Sequence, residues 1–75
     1  MKTKYDWSKA HHWAQFIATD EGGTMWQFSE KPIHDHECWY LKVYSPDHLC
    51  KTFEEGHCSA FSDDNWQDSL EERPK

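Results

Sequence analysis

Seven histidine and cysteine side chains crowd into positions 34–58 of this 75-residue chain: His34, His36, Cys38, His48, Cys50, His57 and Cys58. Imidazole nitrogen and thiolate sulfur are the usual zinc donors, so this run raises a metal site first. Spacing restricts it. Along a strand, residues two apart lie roughly 6.6 Å apart and residues four apart roughly 13 Å, so His34 and Cys38 cannot share an ion unless the segment bends. The feasible set joins His36 and Cys38 to His48 and Cys50 across a hairpin. Register decides it: a three-residue loop at 46–48 puts Cys38 and Cys50 on one face, and a four-residue loop turns Cys50 away. No C-x-x-C occurs. Surface histidines and semi-buried thiols are the favoured reading, zinc is the alternative, and no cofactor is expected.

Catalytic patterns are lacking. A Cys–His dyad can be drawn from any three cysteines and six histidines and has no specificity. There is no Gly-rich phosphate loop, no G-x-S-x-G and no H-E-x-x-H. A chain this short also leaves little room for a pocket of ~300 Å³ or more. The expectation is a protein that is not an enzyme.

The elements that would position these residues read as short strands. A strand is expected over 13–20, a turn at Asp20-Glu21-Gly22-Gly23, and a return strand over 24–29. In the return strand Thr24, Trp26 and Phe28 share one face, and Met25, Gln27 and Ser29 the other. A second pair should follow, 37–44 with 49–53, in which Trp39, Leu41 and Val43 share a face. Glu54-Glu55-Gly56 should turn again, and 57–62 should add a fifth strand. At the start, Asp6 or Ser8 can cap a helical turn that pins Trp7. At the end, Ser69 and Glu72 have capping-box spacing, Trp66 and Leu70 would form one stripe of a short helix, and Pro74 would stop it. The fold class is mainly β: one small domain, ordered over about 5–72, with an antiparallel sheet of four or five short strands and a C-terminal helical turn.

Composition bears on whether this folds at all. Leu, Ile, Val and Phe number ten of 75, and the net charge is −6, values associated with disorder. Five Trp, three Tyr and four Phe offset that, because each ring brings roughly 150–250 Å² of buriable surface. The core must be built on rings. For a chain of this size burial and ordering entropy nearly cancel, which leaves room for a metal, a disulfide, a homodimer or a partner. An odd set of three cysteines, with no apolar leader in MKTKYDW, points to free thiols and a cytoplasmic location. A Cys38–Cys50 or Cys50–Cys58 bridge is the lesser alternative. Protonation of the six histidines below pH ~6.5 would draw the net charge toward zero and lower solubility.

Charge is uneven. Positions 54–72 hold Glu54, Glu55, Asp63, Asp64, Asp68, Glu71 and Glu72 with no Lys or Arg. That sign disfavours direct nucleic-acid binding and acidic membrane surfaces. It favours a partner protein with a basic surface. Glu54, Glu55, Asp63, Asp64, Trp66 and Asp68 are the candidate contact residues, with Trp66 the aromatic anchor.

Two end segments carry a resemblance. Asp6-Trp7-Ser8-Lys9-Ala10 with Trp13-Ala14, and Trp66-Gln67-Asp68-Ser69-Leu70-Glu71-Glu72-Arg73-Pro74, resemble the opening and closing motifs of a group of small tailed-phage proteins. The hairpin between Ile17 and Phe28 fits the same pattern. The likeness covers about half the chain. His11 stands where the group has proline, and the His/Cys middle lies outside the pattern. The resemblance implies a phage origin, no catalytic residues, and structural roles for the ends: Trp7 and Trp66 as plugs, Ser69 and Glu72 as a cap. The function expected is that of an anti-CRISPR-like accessory protein, one that binds a host bacterial protein, such as a defence or nucleic-acid-processing complex, and inhibits or modulates it. The alternatives are a metal-stabilised binding module, an acidic DNA mimic and a virion-associated structural protein.

Overall fold

The computed structural model describes residues 3–42, 46–57 and 63–74, with the backbone alone at 54–57 and 63–64. Strand β1 (Phe16–Thr19) turns at 20–23 into β2 (Thr24–Phe28). The expected first strand is thus shorter than 13–20, and the expected return strand is present. Thr24 O accepts from Asp20 N–H and Asp20 O from Gly23 N–H, each at 2.9 Å. Gly23 has a φ of 92°, the left-handed region that glycine enters without steric cost.

The second half departs from expectation. Strand β3 (Ile33–His34) pairs with β4 (Trp39–Tyr40), and β5 (Cys50–His57) pairs with β2. The expected hairpin of 37–44 with 49–53 therefore does not form among the described residues. Its reason is local. Asp35 Oδ1 accepts from the N–H groups of Glu37 and Cys38 at 2.7 and 2.9 Å, which closes a tight turn between β3 and β4. No turn occurs at 54–56 either. The strand runs on to His57, and the register slips from Trp26↔Thr52 to Thr24↔His57, a bulge of the kind that bends a strand. The expected fifth strand contributes His57 to β5, and 58–62 fall outside the described residues.

Nor does the C-terminal segment become a capped helix. A 3-10 turn over Asp63–Asp68 leads directly into β6 (Glu71–Glu72), which pairs with β1 at Ile17↔Glu71 and Phe16↔Glu72. Ser69 is wholly buried. It bridges Thr19 instead of capping: its Oγ accepts from Thr19 N–H at 2.8 Å and donates to Thr19 O at 3.1 Å. The fold is mainly β, with a four-stranded antiparallel sheet ordered β5-β2-β1-β6 and a two-stranded sheet of β3 and β4. The helical segments among the described residues are 3-10 turns.

The two sheet faces are covered differently. On one, Ala18 and Phe28 pack with Trp39, Leu41 and Trp66, flanked by Phe16, Trp26 and Leu70. Trp39 and Trp66 meet edge to face at 6.4 Å, and the His34 ring stands edge-on to both at 4.9 and 5.5 Å. Such ring pairs each add about 0.5–1.5 kcal/mol beyond burial. Asp20 joins the layers: its carboxylate accepts from Trp26 Nε1 at 2.8 Å and from Trp39 N–H at 2.9 Å. The other face, with Met25 and Gln27, lies under the N-terminal segment. The alternation of β2 thus sorts its residues as expected.

Candidate functional site

Both end motifs meet in space. Asp6 caps the 3-10 turn Trp7–Lys9, its Oδ1 accepting from Ser8 N–H at 3.1 Å and from the Ser8 hydroxyl. The hydroxyl bond, then the backbone one, holds the Asp6 carboxyl below its usual range. Glu71 accepts from Trp7 Nε1 at 2.8 Å and from Lys4 N–H at 2.9 Å. Arg73 donates to Ala14 O at 2.6 Å and His11 O at 2.7 Å, and its guanidinium carbon lies 5.0 Å from the centre of the Trp7 ring. Its own N–H donates to Gln15 O at 2.7 Å and prolongs the β6 ladder. Beneath this clasp the Tyr5 hydroxyl donates to Ser69 O at 2.9 Å and lies 2.8 Å from Thr19 Oγ1. Trp7 is pinned at the surface, half-buried, and Trp66 is a true plug at 4% exposure.

Burial withdraws Trp66 from the candidate contact surface, where it was to be the anchor. Its indole fills the core, and its carbonyl accepts from Trp39 Nε1 at 3.4 Å. Asp68 is exposed, and its carbonyl accepts from Lys4 Nζ at 2.8 Å. The backbone places Glu54 and Glu55 on β5 and Asp63 and Asp64 at the start of the second 3-10 turn. Leu49, which immediately precedes β5, is 41% exposed.

The histidines and cysteines are dispersed. Cys38 sits in the β3–β4 turn, Cys50 opens β5 opposite Phe28, His36 is exposed beside Glu37 at 3.8 Å, and His48 lies before β5. The hairpin that was to join the four does not exist among the described residues, and no group of three or more His, Cys, Asp or Glu side chains there could hold a metal ion. Cys38 and Cys50 are free thiols, one half-buried and one exposed. Burial, followed by the carboxylates of Asp35, Asp20 and Glu37, pushes the Cys38 thiol up. That shift keeps the sulfur protonated and makes it a poor nucleophile or ligand.

A groove was not foreseen. It has a volume of about 470 Å³, within the range of small-molecule sites, where chain length alone suggested no such room. Tyr5, Asp6, Lys9 and His11 form its wall, and Met25, Gln27, Lys51 and Phe53 its floor. The sequence does carry a signal for it: residues on the polar face of β2 had to be covered by something, and the basic opening segment was available.

The chain matches no protein-family model, no curated protein and no solved structure. Among the described residues no helix is long and apolar enough to cross a membrane.

Proposed function

We propose that this chain is a phage accessory protein that works by contact, binding a host bacterial protein with a basic surface and inhibiting or modulating it. The observation that carries the reading is the place of Glu54 and Glu55 on β5, the outer strand of the four-stranded sheet. An outer strand presents backbone donors and acceptors to a partner, and acidic side chains on it steer that partner by charge. The chain supplies the charge: 14 Asp and Glu stand against eight Lys and Arg. A defence or nucleic-acid-processing complex offers the matching surface, because its own ligand is a polyanion. Exposed Leu49 beside β5 replaces Trp66 as the apolar contact. Phage origin rests on the resemblance of the two end motifs and the first hairpin.

Affinity purification from the infected host tests the reading. The wild-type chain should retain a host protein, and the triple variant Glu54→Lys, Glu55→Lys, Asp63→Lys should lose it. Equal capture by both overturns the assignment of the surface. Capture confined to virion components overturns the proposed role.

A further inference from the structure

We propose that the groove between the N-terminal segment and the β2–β5 face binds a small neutral amide or lactam carried on an apolar ring. The side-chain amide of Gln27 carries the inference. Gln27 is 2% exposed, and its Oε1 accepts from His11 N–H at 2.8 Å. A backbone N–H can only donate, so this bond settles which end of the amide is oxygen. The Nε2 end, with two N–H groups to give, has no partner among the described residues. No fully buried side-chain nitrogen or oxygen there lacks a partner, so Nε2 must reach open space. The space that Gln27 lines is the groove. A donor held in place by its own oxygen and left unanswered is a binding feature, since burying such a group without an acceptor costs about 1–3 kcal/mol.

Asp6 supplies the complement from the wall of the same groove. Its Oδ1 is tied by the N–H and hydroxyl of Ser8, and its Oδ2 accepts no hydrogen bond among the described residues. The Ser8 bonds hold the carboxyl below its usual range, so it stands ready as an acceptor. A fixed donor in the floor and an oriented acceptor in the wall ask for a ligand that presents a carbonyl and an N–H together, as an amide or lactam does. Met25 and Phe53 offer its ring an apolar surface, and about 470 Å³ suits one or two rings. A carboxylate ligand would set its charge against Asp6, and a ligand with donors alone would leave Nε2 of Gln27 unanswered. This site is independent of the contact proposed for Glu54 and Glu55.

Three probes of one shape test the proposal on the whole chain by two-dimensional NMR. Benzamide should shift the Gln27 side-chain amide and the Met25 methyl, with a dissociation constant of about 1 mM expected for so small a ligand. N,N-dimethylbenzamide keeps the carbonyl but has no N–H for Asp6, and should bind about fivefold more weakly. Benzoate should also bind more weakly than benzamide. Asp6→Asn keeps the turn capped, because asparagine caps as well as aspartate, and puts a donor where the ligand N–H needs an acceptor. It should weaken benzamide about fivefold and leave N,N-dimethylbenzamide unchanged. No response to benzamide, benzoate binding as tightly or more tightly, or an Asp6→Asn variant that spares benzamide or weakens both amides equally overturns the proposal.

Discussion

Ser69 and Thr19 stand fifty residues apart in sequence, and one hydroxyl satisfies both backbone groups of the threonine, accepting from its N–H at 2.8 Å and donating to its carbonyl at 3.1 Å. Both residues are wholly buried. The hydroxyl does for Thr19 what the next residue of β6 would have done by ladder pairing. Ser69→Ala leaves a buried donor and a buried acceptor on Thr19 unanswered, at a cost of about 2 kcal/mol. In a domain of this size that lowers the melting temperature by roughly 10 °C. Thermal unfolding followed by circular dichroism measures it, and an unchanged midpoint would show that water replaces the hydroxyl.

The two turn glycines are not equivalent. Gly23 holds φ at 92°, where a side chain is strained, so Gly23→Ala should cost about 1–2 kcal/mol. A Cβ on Gly22 meets nothing within 4 Å, and Gly22→Ala should be neutral or slightly stabilising, because alanine restricts the unfolded chain. Chemical denaturation of the pair decides this. Equal losses would refute the distinction.

The first hairpin is legible in sequence because alternation over 24–29 and a Gly-Gly turn specify faces and reversal together. The pairing of the second half is not. Alternation at Trp39 and Leu41 correctly assigns both to the core, but a period of two says nothing of which strand lies alongside. Asp35 settles that locally by closing the β3–β4 turn, and β5 is left for β2. The 69–72 segment misleads for a related reason. Ser-x-x-Glu spacing describes a cap only if a helix follows, and here tertiary pairing with β1 takes the backbone first. The groove escapes a residue-by-residue reading because its wall and floor come from positions near 5–11 and 25–53.

Acid should loosen both ends of the molecule's turn chemistry. The Asp6 carboxyl is held low by the hydroxyl and N–H of Ser8, and the Asp35 carboxyl by the N–H groups of Glu37 and then Cys38. A carboxyl lowered by folding stabilises the fold above its unfolded value and loses that contribution as pH falls through its folded value. The melting temperature should therefore decline on acidification below about pH 4. Asp35→Asn should start lower and decline less. A parallel decline in both proteins would remove Asp35 from the account.

Thiol reactivity should rank by environment. In a Cys58→Ser background, exposed Cys50 should react with iodoacetamide faster than Cys38, whose thiol is pushed up by burial and by three neighbouring carboxylates. Mass spectrometry of partly alkylated protein gives the order. Faster labelling at Cys38 would contradict the packing of the β3–β4 turn.

Placing β6 beside β1 also sets when the sheet can be made. Strand β1 is synthesised some fifty residues before its second neighbour. Tyr5, Trp7 and Lys4 likewise wait for Ser69, Glu71 and Asp68. Closure over such separations is slow compared with local turns, so the sheet closes only once 69–73 are free of the exit tunnel. A nascent chain stalled short of Glu71 has neither the β6 ladder nor the carboxylate that anchors Trp7. Residues 69–73 thus carry the last pairing of the four-stranded sheet, and without them the outer edge of β1 has no neighbour.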